Sequence, residues 1–216
     1  MDTLAARQQM VDQQIRTWEV LDPRVLDVFA AVPREAFVPP EYRELAFADA
    51  SIPIGYGQSM LAPKVQGRIL QALAVTAKES VLEVGSGTGY LAACLALLSS
   101  STHSIDIHPE LTKVATLNAR TVPSASIKFE TRDACGGASL GEFDVIAVTG
   151  SLPVYDPRFE RALRVGGRLF AVVGSAPVMD AILVRRVDET EWIRESLFET
   201  VIDPLVNAAA PPRFVF

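Results

Sequence analysis

Two patterns of hydrophobic and polar residues alternate along the chain after residue 80. Short apolar runs rich in β-branched residues occupy positions 81–84 and 143–148, as expected of strands that are buried on both faces of a parallel sheet. Residues 90–98, which follow the first run, are rich in helix-forming side chains. Strands that alternate with helices in this way predict an α/β fold with a mainly parallel sheet.

The later part of the chain continues this alternation and then changes. A helix is predicted from Pro109, followed by a strand over residues 126–130. A further helix is predicted to end at Gly166-Gly167, because a glycine pair is typical of a helix C-terminus. Residues 181–187 and 192–201 alternate apolar and polar side chains, which predicts antiparallel strands near the C-terminus. The apolar positions of the helix before the glycine pair are Phe159, Leu163 and Val165.

The N-terminal part of the chain combines helical spacing with a proline-rich stretch. Apolar residues recur at near-helical spacing over residues 2–31, and Asp22 followed by Pro23 is typical of a helix start. Residues 32–59 contain four prolines and two glycines, so we expect ordered loops there without a regular helix or strand. A third helix is predicted from Pro63. The large aromatic side chains expected in the core here are Trp18 and Phe29.

Composition restricts the functions that this fold could carry. The 216 residues have a formal net charge of −6, so no basic field exists to attract nucleic acid. The chain has no uncharged apolar run long enough to span a membrane, and its polar start lacks a secretory signal pattern, so we expect a cytoplasmic protein without a membrane partner. Two distant cysteines and two histidines predict neither a disulfide framework nor a metal site. We therefore expect a cofactor to supply the chemistry.

A glycine-rich turn follows the first predicted core strand. Gly85, Gly87 and Gly89 are spaced G-x-G-x-G, which excludes both the dinucleotide fingerprint G-x-G-x-x-G and a phosphate-binding loop. Such a turn lets a ligand approach the backbone and directs helix N-terminal N–H groups into the crevice at the end of the sheet. Glu83 lies in the strand just before the turn, where a carboxylate would repel a pyrophosphate and attract a cationic group.

A second acid ends the next predicted strand. Asp106 follows Gly89 by seventeen residues, about the length of one helix and a return strand, and an acid at that point accepts hydrogen bonds from ribose hydroxyls. A glycine turn that binds nothing is the alternative. Glu83, the three glycines and Asp106 together resemble the S-adenosylmethionine-dependent methyltransferases of the Rossmann-like class. This resemblance implies S-adenosylmethionine as the cofactor.

Motifs in the N-terminal third make the resemblance more specific. They are M-V-D-Q-Q-I at 10–15, D-P-R-V-L at 22–26, V-P-R-E-A-F-V-P at 32–39 and I-P-I-G-x-G-Q at 52–58. With the glycine turn, F-D-V-I-x-V-T at 143–149 and L-x-x-G-G-R-L at 163–169, they are similar to the protein-L-isoaspartate O-methyltransferases. The resemblance implies carboxyl O-methylation of L-isoaspartyl residues in damaged proteins, with isoaspartyl proteins or peptides as partners.

The resemblance also completes the expected fold. It implies a three-layer Rossmann-like methyltransferase sandwich, with a seven-stranded, mainly parallel sheet and an antiparallel element near the C-terminus. We expect a single domain over residues 1–216. Residues 1–79 would form an N-terminal helical and loop cap, and residues 80–216 the cofactor-binding core.

Further site residues follow from the resemblance. Asp133 matches the family's acid that faces the adenine amino group, and a turn residue that caps the backbone is the alternative. Gln58 and Ser59 are expected to reach the reaction site from a segment that folds over the methyl donor. The other predicted cofactor-binding residues are Glu83, Gly85, Ser86, Gly87, Gly89, Asp106, Ile107, Ala134 and Thr149.

One residue departs from the family pattern. After Gly-Gln the family reads T-I-S-x-P, with its serine near the reacting carboxyl, whereas this chain reads S-M-L-A-P and has Leu61 at that place. Leucine can neither donate a hydrogen bond to a carboxylate nor accept one. Two alternatives to isoaspartyl methylation therefore stay open: a methyltransferase for another small acceptor, and a non-catalytic cofactor-binding protein. A carboxylate acceptor is ionised at neutral pH, so its methylation needs no general base.

Overall fold

The computed structural model describes residues 3–211. Its strands are β1 (Ile52–Gly55), β2 (Gln58–Met60), β3 (Ser80–Val84), β4 (Ser101–Asp106), β5 (Ile127–Thr131), β6 (Phe143–Leu152), β7 (Leu163–Ser175), β8 (Val178–Arg186) and β9 (Trp192–Glu199). Its α-helices are α1 (Thr3–Met10), α2 (Pro23–Ala31), α3 (Pro63–Leu73), α4 (Tyr90–Leu98), α5 (Pro109–Asn118) and α6 (Pro157–Arg161). The single domain predicted for residues 1–216 also includes residues 1–2 and 212–216, which lie outside the described residues.

β3 to β9 form one sheet in the order β5-β4-β3-β6-β7-β8-β9. β3 pairs in parallel with β4 on one side and β6 on the other, whereas β8 is antiparallel to both β7 and β9. The predicted seven-stranded, mainly parallel sheet with an antiparallel C-terminal element is confirmed. The strand order reverses between β3 and β6, and open α/β sheets bind ligands at the carboxyl ends of the strands at such a point.

Hydrophobic side chains cover both faces of this sheet. Along β3, Val81 joins a cluster that includes side chains of α2, α3 and α4, whereas Leu82 and Val84 join a second cluster with α6. The alternation follows from the two-residue period of a strand. Helices therefore lie on both faces, as in a three-layer sandwich. Between residues 3 and 211, no helix is long and apolar enough to cross a membrane.

A buried arginine fixes the N-terminal segment to the core. Arg34 is fully buried, and its Nε donates to the carbonyl oxygen of Ala46 at 2.9 Å. Its Nη2 donates to the carbonyl oxygen of Leu61 at 2.8 Å, and its Nη1 donates to the side-chain oxygen of Gln66. The guanidinium carbon also lies 4.8 Å from the centroid of the Tyr90 ring. One side chain therefore joins the N-terminal loops, α3 and α4, and holds the backbone at Leu61 in place.

The prediction of loops without regular structure is wrong for β1 and β2, which form an antiparallel hairpin. Ile52 pairs with Met60, and the turn at Gly55, Tyr56 and Gly57 has positive φ values of 91°, 57° and 69°. The two glycines supply the left-handed backbone that this turn needs. Proline is tolerated here because the short hairpin leaves edge positions whose N–H is not required for pairing.

The helix predicted to reach the glycine pair is too long. α6 ends at Arg161, and both Leu163 and Val165 belong to β7. Gly166 has a φ of 82°, and a Cβ on Gly167 would lie 2.7 Å from a carbonyl oxygen of β6. The glycine pair therefore does not cap a helix. It forms an irregularity that lets β7 approach β6 closely.

Predictions for individual residues in the N-terminal part of the chain are confirmed in some cases and wrong in one. Trp18 was expected in the core, but it is 39% exposed, and Nζ of Lys64 lies 4.3 Å from the centroid of its ring. Phe29 is fully buried, as predicted. The helix starts are confirmed: the Asp22 side chain accepts a bond from an N–H of the first turn of α2, and Pro63 opens α3.

Candidate active site

Most of the predicted site residues meet in one cleft, which we call the main cleft, at the carboxyl edge of the sheet. Those that line it are Gln58, Ser59, Gly85, Gly87, Asp106, Ile107, Asp133, Ala134 and Thr149. Glu83 and Ser86 line an adjoining inner cavity, which shares Ser59, Gly85, Gly87 and Thr149 with the main cleft. Gly89 lines neither space.

Each glycine of the turn faces a different neighbour. A Cβ on Gly85 would lie 2.5 Å from Oγ1 of Thr149, and one on Gly87 would lie 3.1 Å from Cδ1 of Ile54 in the β1–β2 hairpin. A Cβ on Gly89 would lie 3.0 Å from the backbone of α5. Gly85 and Gly87 therefore hold the turn against the walls of the cleft. Gly89 is needed for the packing of α4 on α5.

The carboxylate of Asp106 is fixed by two backbone donors. The N–H of Gly87 donates to Oδ2 and the N–H of His108 donates to Oδ1, each at 2.9 Å. The residue is 7% exposed and lines the cleft. Each carboxylate oxygen has a second lone pair, so the group can still accept hydrogen bonds from vicinal hydroxyls of a ligand.

Glu83 is buried next to this carboxylate, with 1% of its surface exposed. Ser104 donates its hydroxyl to Oε2 of Glu83, and the Ser104 hydroxyl lies 2.6 Å from the hydroxyl of Ser86. Burial raises the pKa of Glu83 to about 8, and the nearby Asp106 charge adds to the increase. Burial therefore favours the protonated carboxyl group at neutral pH, and a cation in the inner cavity would favour the charged form.

Asp133 makes the turn-capping bond of the alternative and also lies in the wall of the main cleft. Its Oδ1 accepts from the N–H of Cys135 at 2.7 Å, which is the turn-capping bond of the alternative. Its Oδ2 accepts from Nδ2 of Asn207 at 2.9 Å, and the residue lines the main cleft. The carboxylate is therefore held in one orientation at the cleft.

Two segments roof the main cleft: the β1–β2 hairpin, and residues 202–207, which we call the C-terminal strap. The ring of Tyr56 in the hairpin stacks on the ring of His108, with centroids 4.2 Å apart and planes inclined by 16°. Nε2 of Gln58 donates to the carbonyl oxygen of Pro204 at 3.2 Å. The Gln58 amide therefore joins the hairpin to the strap.

The strap is anchored on the end of β6. The N–H of Ser151 donates to the carbonyl oxygen of Asp203 at 2.9 Å, and the N–H of Leu205 donates to the carbonyl oxygen of Ser151 at 3.0 Å. A Cβ on Gly150 would lie 2.7 Å from Cδ2 of Leu205, so the strap packs directly on this glycine. Leu205 and Val206 are thereby placed in the wall of the main cleft.

A third space, which we call the outer cavity, has a volume of about 390 Å³ and shares Ser59 with the main cleft. Leu61 lines both the outer and the inner cavity. Ser151 and the strap residues 202–204 form another part of its wall. No lysine or arginine among residues 3–211 lines the outer cavity. Asp203 is the acid among the described residues that line it. Hydroxyl and backbone N–H groups are therefore the donors for any anion that enters the cavity.

Several residues that line the cleft were not among the predicted site residues; they include His108, Arg132, Cys135, Leu205 and Val206. Nε2 of His108 is buried and has no hydrogen-bond partner among the described residues 3–211. Its place two residues after Asp106 is a signal that could have identified it. The strap carries no comparable motif. It reaches the cleft through contacts with residues far away in the sequence, which no local pattern indicates.

Comparisons with known proteins agree with this geometry. The family model described as protein-L-isoaspartate(D-aspartate) O-methyltransferase matches residues 5–210. A protein-L-isoaspartate O-methyltransferase of Koribacter versatilis is 36% identical over 202 residues, which are 93% of this chain and 90% of the relative. Protein-L-isoaspartate O-methyltransferase 1 of an Anaeromyxobacter strain is 38% identical over 172 residues, or 79% of this chain and 80% of the relative.

A solved structure shows the same fold. It is a Plasmodium falciparum protein described as a protein-L-isoaspartate O-methyltransferase, in complex with S-adenosyl-L-homocysteine. The TM-score is 0.82 at 18% sequence identity, and the match covers 93% of this chain and 98% of the other. The Rossmann-like sandwich expected from the sequence is therefore confirmed.

Proposed function

The chain belongs to the protein-L-isoaspartate O-methyltransferase family, and we propose that it methylates the free carboxylate of L-isoaspartyl residues in damaged proteins. The methyl donor is S-adenosylmethionine. One observation carries the proposal beyond family membership: Ser59 lies in the walls of the main cleft, the inner cavity and the outer cavity. A donor on one side and an acceptor on the other would meet at this residue.

Three acids of the chain fit the donor. Asp106, already held by two N–H groups, would accept hydrogen bonds from the ribose hydroxyls. Asp133 would accept a hydrogen bond from the adenine amino group. Glu83 in the inner cavity would pair with the ammonium group. The unpartnered Nε2 of His108 is a further polar atom in the cleft that a ligand would satisfy. When bound, S-adenosylmethionine supplies a methyl group on a positively charged sulfur.

The chain's part in the transfer is to position the acceptor and exclude water. A carboxylate needs no proton removed before it reacts, which agrees with the absence of histidine and lysine from the wall of the outer cavity in residues 3–211. Gln58, bonded to Pro204, would keep the hairpin and the strap closed over the reacting groups. Ser59 would contact the acceptor where the spaces meet.

A different methyl acceptor is the second candidate function, and Leu61 is the observation that favours it. Its side chain forms an apolar part of the wall where the family has a serine. A small acceptor with an apolar body would gain from this contact. The third possibility, a cofactor-binding protein without activity, would bind the donor and transfer nothing.

Methyl transfer to a matched pair of peptides distinguishes these functions. One peptide contains an isoaspartyl residue, and its twin contains aspartate at the same position. We expect S-adenosylhomocysteine to form with the isoaspartyl peptide and not with its twin. Donor binding without product from either peptide would contradict the proposal, and a later screen of small carboxylates and hydroxyl compounds would then test the second function.

The partners and the location follow as parts of the same proposal. The substrates would be isoaspartyl proteins or peptides, and the net charge of −6 gives no support for nucleic-acid binding. We place the activity in the cytoplasm, where it would serve protein repair. The free thiols of Cys94 and Cys135 are compatible with such a reducing compartment.

A further inference from the structure

Ser151 is a buried serine whose hydroxyl makes no hydrogen bond. The residue is fully buried at the end of β6, and its Oγ has no hydrogen-bond partner among residues 3–211. Its backbone N–H and carbonyl groups are both used by the C-terminal strap. A buried polar group without a hydrogen-bond partner destabilises a fold. Such a group is therefore a candidate for binding a ligand.

Ser151 is one of the residues that line the outer cavity, and its hydroxyl is buried directly behind the cavity surface. Its neighbour Leu152 packs into the cluster on the α6 face of the sheet, so the two-residue period of the strand directs Ser151 to the opposite face. Leu61, Met179 and Ile202 belong to the cluster on that opposite face, and all three line the outer cavity with Ser151. The hydroxyl therefore lies on the same side of the sheet as the leucine that replaces the family's serine.

An acceptor carboxylate in this cavity needs donors that Leu61 cannot provide. An ionised carboxylate that loses its water must accept hydrogen bonds from the protein, because an unpaired buried charge is very unfavourable. No lysine or arginine between residues 3 and 211 lines the cavity, so hydroxyl and N–H groups are the available donors. A serine hydroxyl carries one donor proton, and rotation about one torsion angle directs it.

We propose that Ser151 donates the hydrogen bond to the acceptor carboxylate that the family's serine would otherwise provide, and that it thereby determines specificity for a carboxylate. This inference rests on the proposed function. It explains with one residue why the Ser151 hydroxyl is unpaired in the free chain and how an isoaspartyl carboxylate can bind next to Leu61. The donor site of the main cleft takes no part in it.

Other hydroxyls of the outer cavity fit this role less well. Ser51 and Ser175 also line it, but both are exposed, so water already satisfies them. Ser59 is partly exposed and is shared with the donor side. Among the described residues of this wall, Ser151 is the serine that is buried. Burial strengthens a hydrogen bond to a charged group.

The test compares Ser151→Ala with Ser175→Ala, a matched loss of a hydroxyl from the same cavity. Because the Ser151 hydroxyl is unpaired in the free chain, its removal should leave the stability unchanged or raise it. For Ser151→Ala we expect the KM for the isoaspartyl peptide to rise about 10- to 100-fold, since a hydrogen bond to a charged group is lost. The Kd for S-adenosylmethionine should not change. Ser175→Ala removes an exposed hydroxyl from the same wall and should raise the KM much less than Ser151→Ala does.

A second variant keeps the test informative if alanine disturbs the wall. Adding Leu61→Ser to Ser151→Ala should restore peptide binding, because a hydroxyl returns to the wall of the same cavity. The two changes should therefore be strongly non-additive in a double-mutant cycle. Equal KM values for the wild type and Ser151→Ala, with an active wild type, would overturn this inference alone. A wild type that binds the donor but leaves the isoaspartyl peptide unmethylated would overturn the proposed function, and this inference with it.

Discussion

The side-chain amide of Asn207 donates to Oδ2 of Asp133 at 2.9 Å and so attaches the C-terminal strap to a carboxylate of the main cleft. The other oxygen of this carboxylate accepts from the N–H of Cys135. Each oxygen retains a lone pair, so a ligand amino group can bind without displacing Asn207. This bond connects the position of the strap with the orientation of the acid.

We predict that Asn207→Ala weakens the binding of S-adenosylmethionine by about two- to tenfold, since one hydrogen bond contributes about 0.5–1.5 kcal/mol. Calorimetric titration measures the effect. Asn207→Asp places a second negative charge beside Asp133 and should weaken binding further. Tighter binding by Asn207→Ala would mean that Asn207 competes with the ligand for the carboxylate.

Asp106→Ala should weaken donor binding more strongly, by about 1–3 kcal/mol. The change removes the acceptor for the ribose hydroxyls and leaves the N–H groups of Gly87 and His108 without a partner. Asp106→Asn keeps one oxygen acceptor, so its affinity for the donor should lie between those of the wild type and Asp106→Ala. Unchanged donor affinity in a folded Asp106→Ala variant would contradict the assignment of the ribose site.

Glu83 should make the stability of the ligand-free chain dependent on pH. Its pKa is raised from 4.5 to about 8 in the folded chain, so folding favours the protonated form. The stabilisation is fully present below pH 4.5 and is lost as the pH rises through 8, by up to about 5 kcal/mol. Urea unfolding at a series of pH values should show this decline in the wild type. Glu83→Gln should lack that part of the decline, and parallel curves for the two proteins would contradict the prediction.

Substitutions at Gly87 and Gly89 should divide differently between stability and donor binding. Gly89→Ala places a Cβ against the backbone of α5, which cannot move easily, so we expect a loss of about 1–3 kcal/mol in the free energy of unfolding. Gly87→Ala strains a backbone whose φ is 50°, but its Cβ meets the flexible end of the Ile54 side chain and no backbone atom. It should therefore lose less stability and weaken donor binding more, because it displaces the hairpin. Equal effects of both variants on stability and on affinity would contradict this division. Denaturant titration and calorimetry together provide the measurement.

The segment from β3 to α4 could be predicted from the sequence because its signals are local. A β-branched apolar run, three glycines and a run of helix formers each point to the element in which they occur. The predicted helix over residues 90–98 agrees with α4, Tyr90–Leu98. Asp106 could likewise be placed, since it ends β4.

The predictions that were wrong, and the site residues that were missed, concern positions whose surroundings depend on segments far away in the sequence. Phe159 and Leu163 have helical spacing, but pairing with β6 places Leu163 in a strand. A glycine pair can form a strand irregularity as well as a helix end, so the sequence alone did not distinguish them. The C-terminal strap enters the site through contacts such as Leu205 with Gly150, which are 55 positions apart. No local pattern specifies such a contact.

The C-terminal strap forms part of two walls, with Asp203 and Pro204 on the outer cavity and Leu205 and Val206 on the main cleft. Because these four positions are consecutive in one segment, a substitution that shifts the strap changes the surroundings of both substrates at once. An evolving chain could not adapt this segment to a new acceptor without also altering its fit to the donor. Positions such as Met179, which line the outer cavity and neither of the two spaces assigned to the donor, are free of this constraint, so divergence in acceptor choice should accumulate there first.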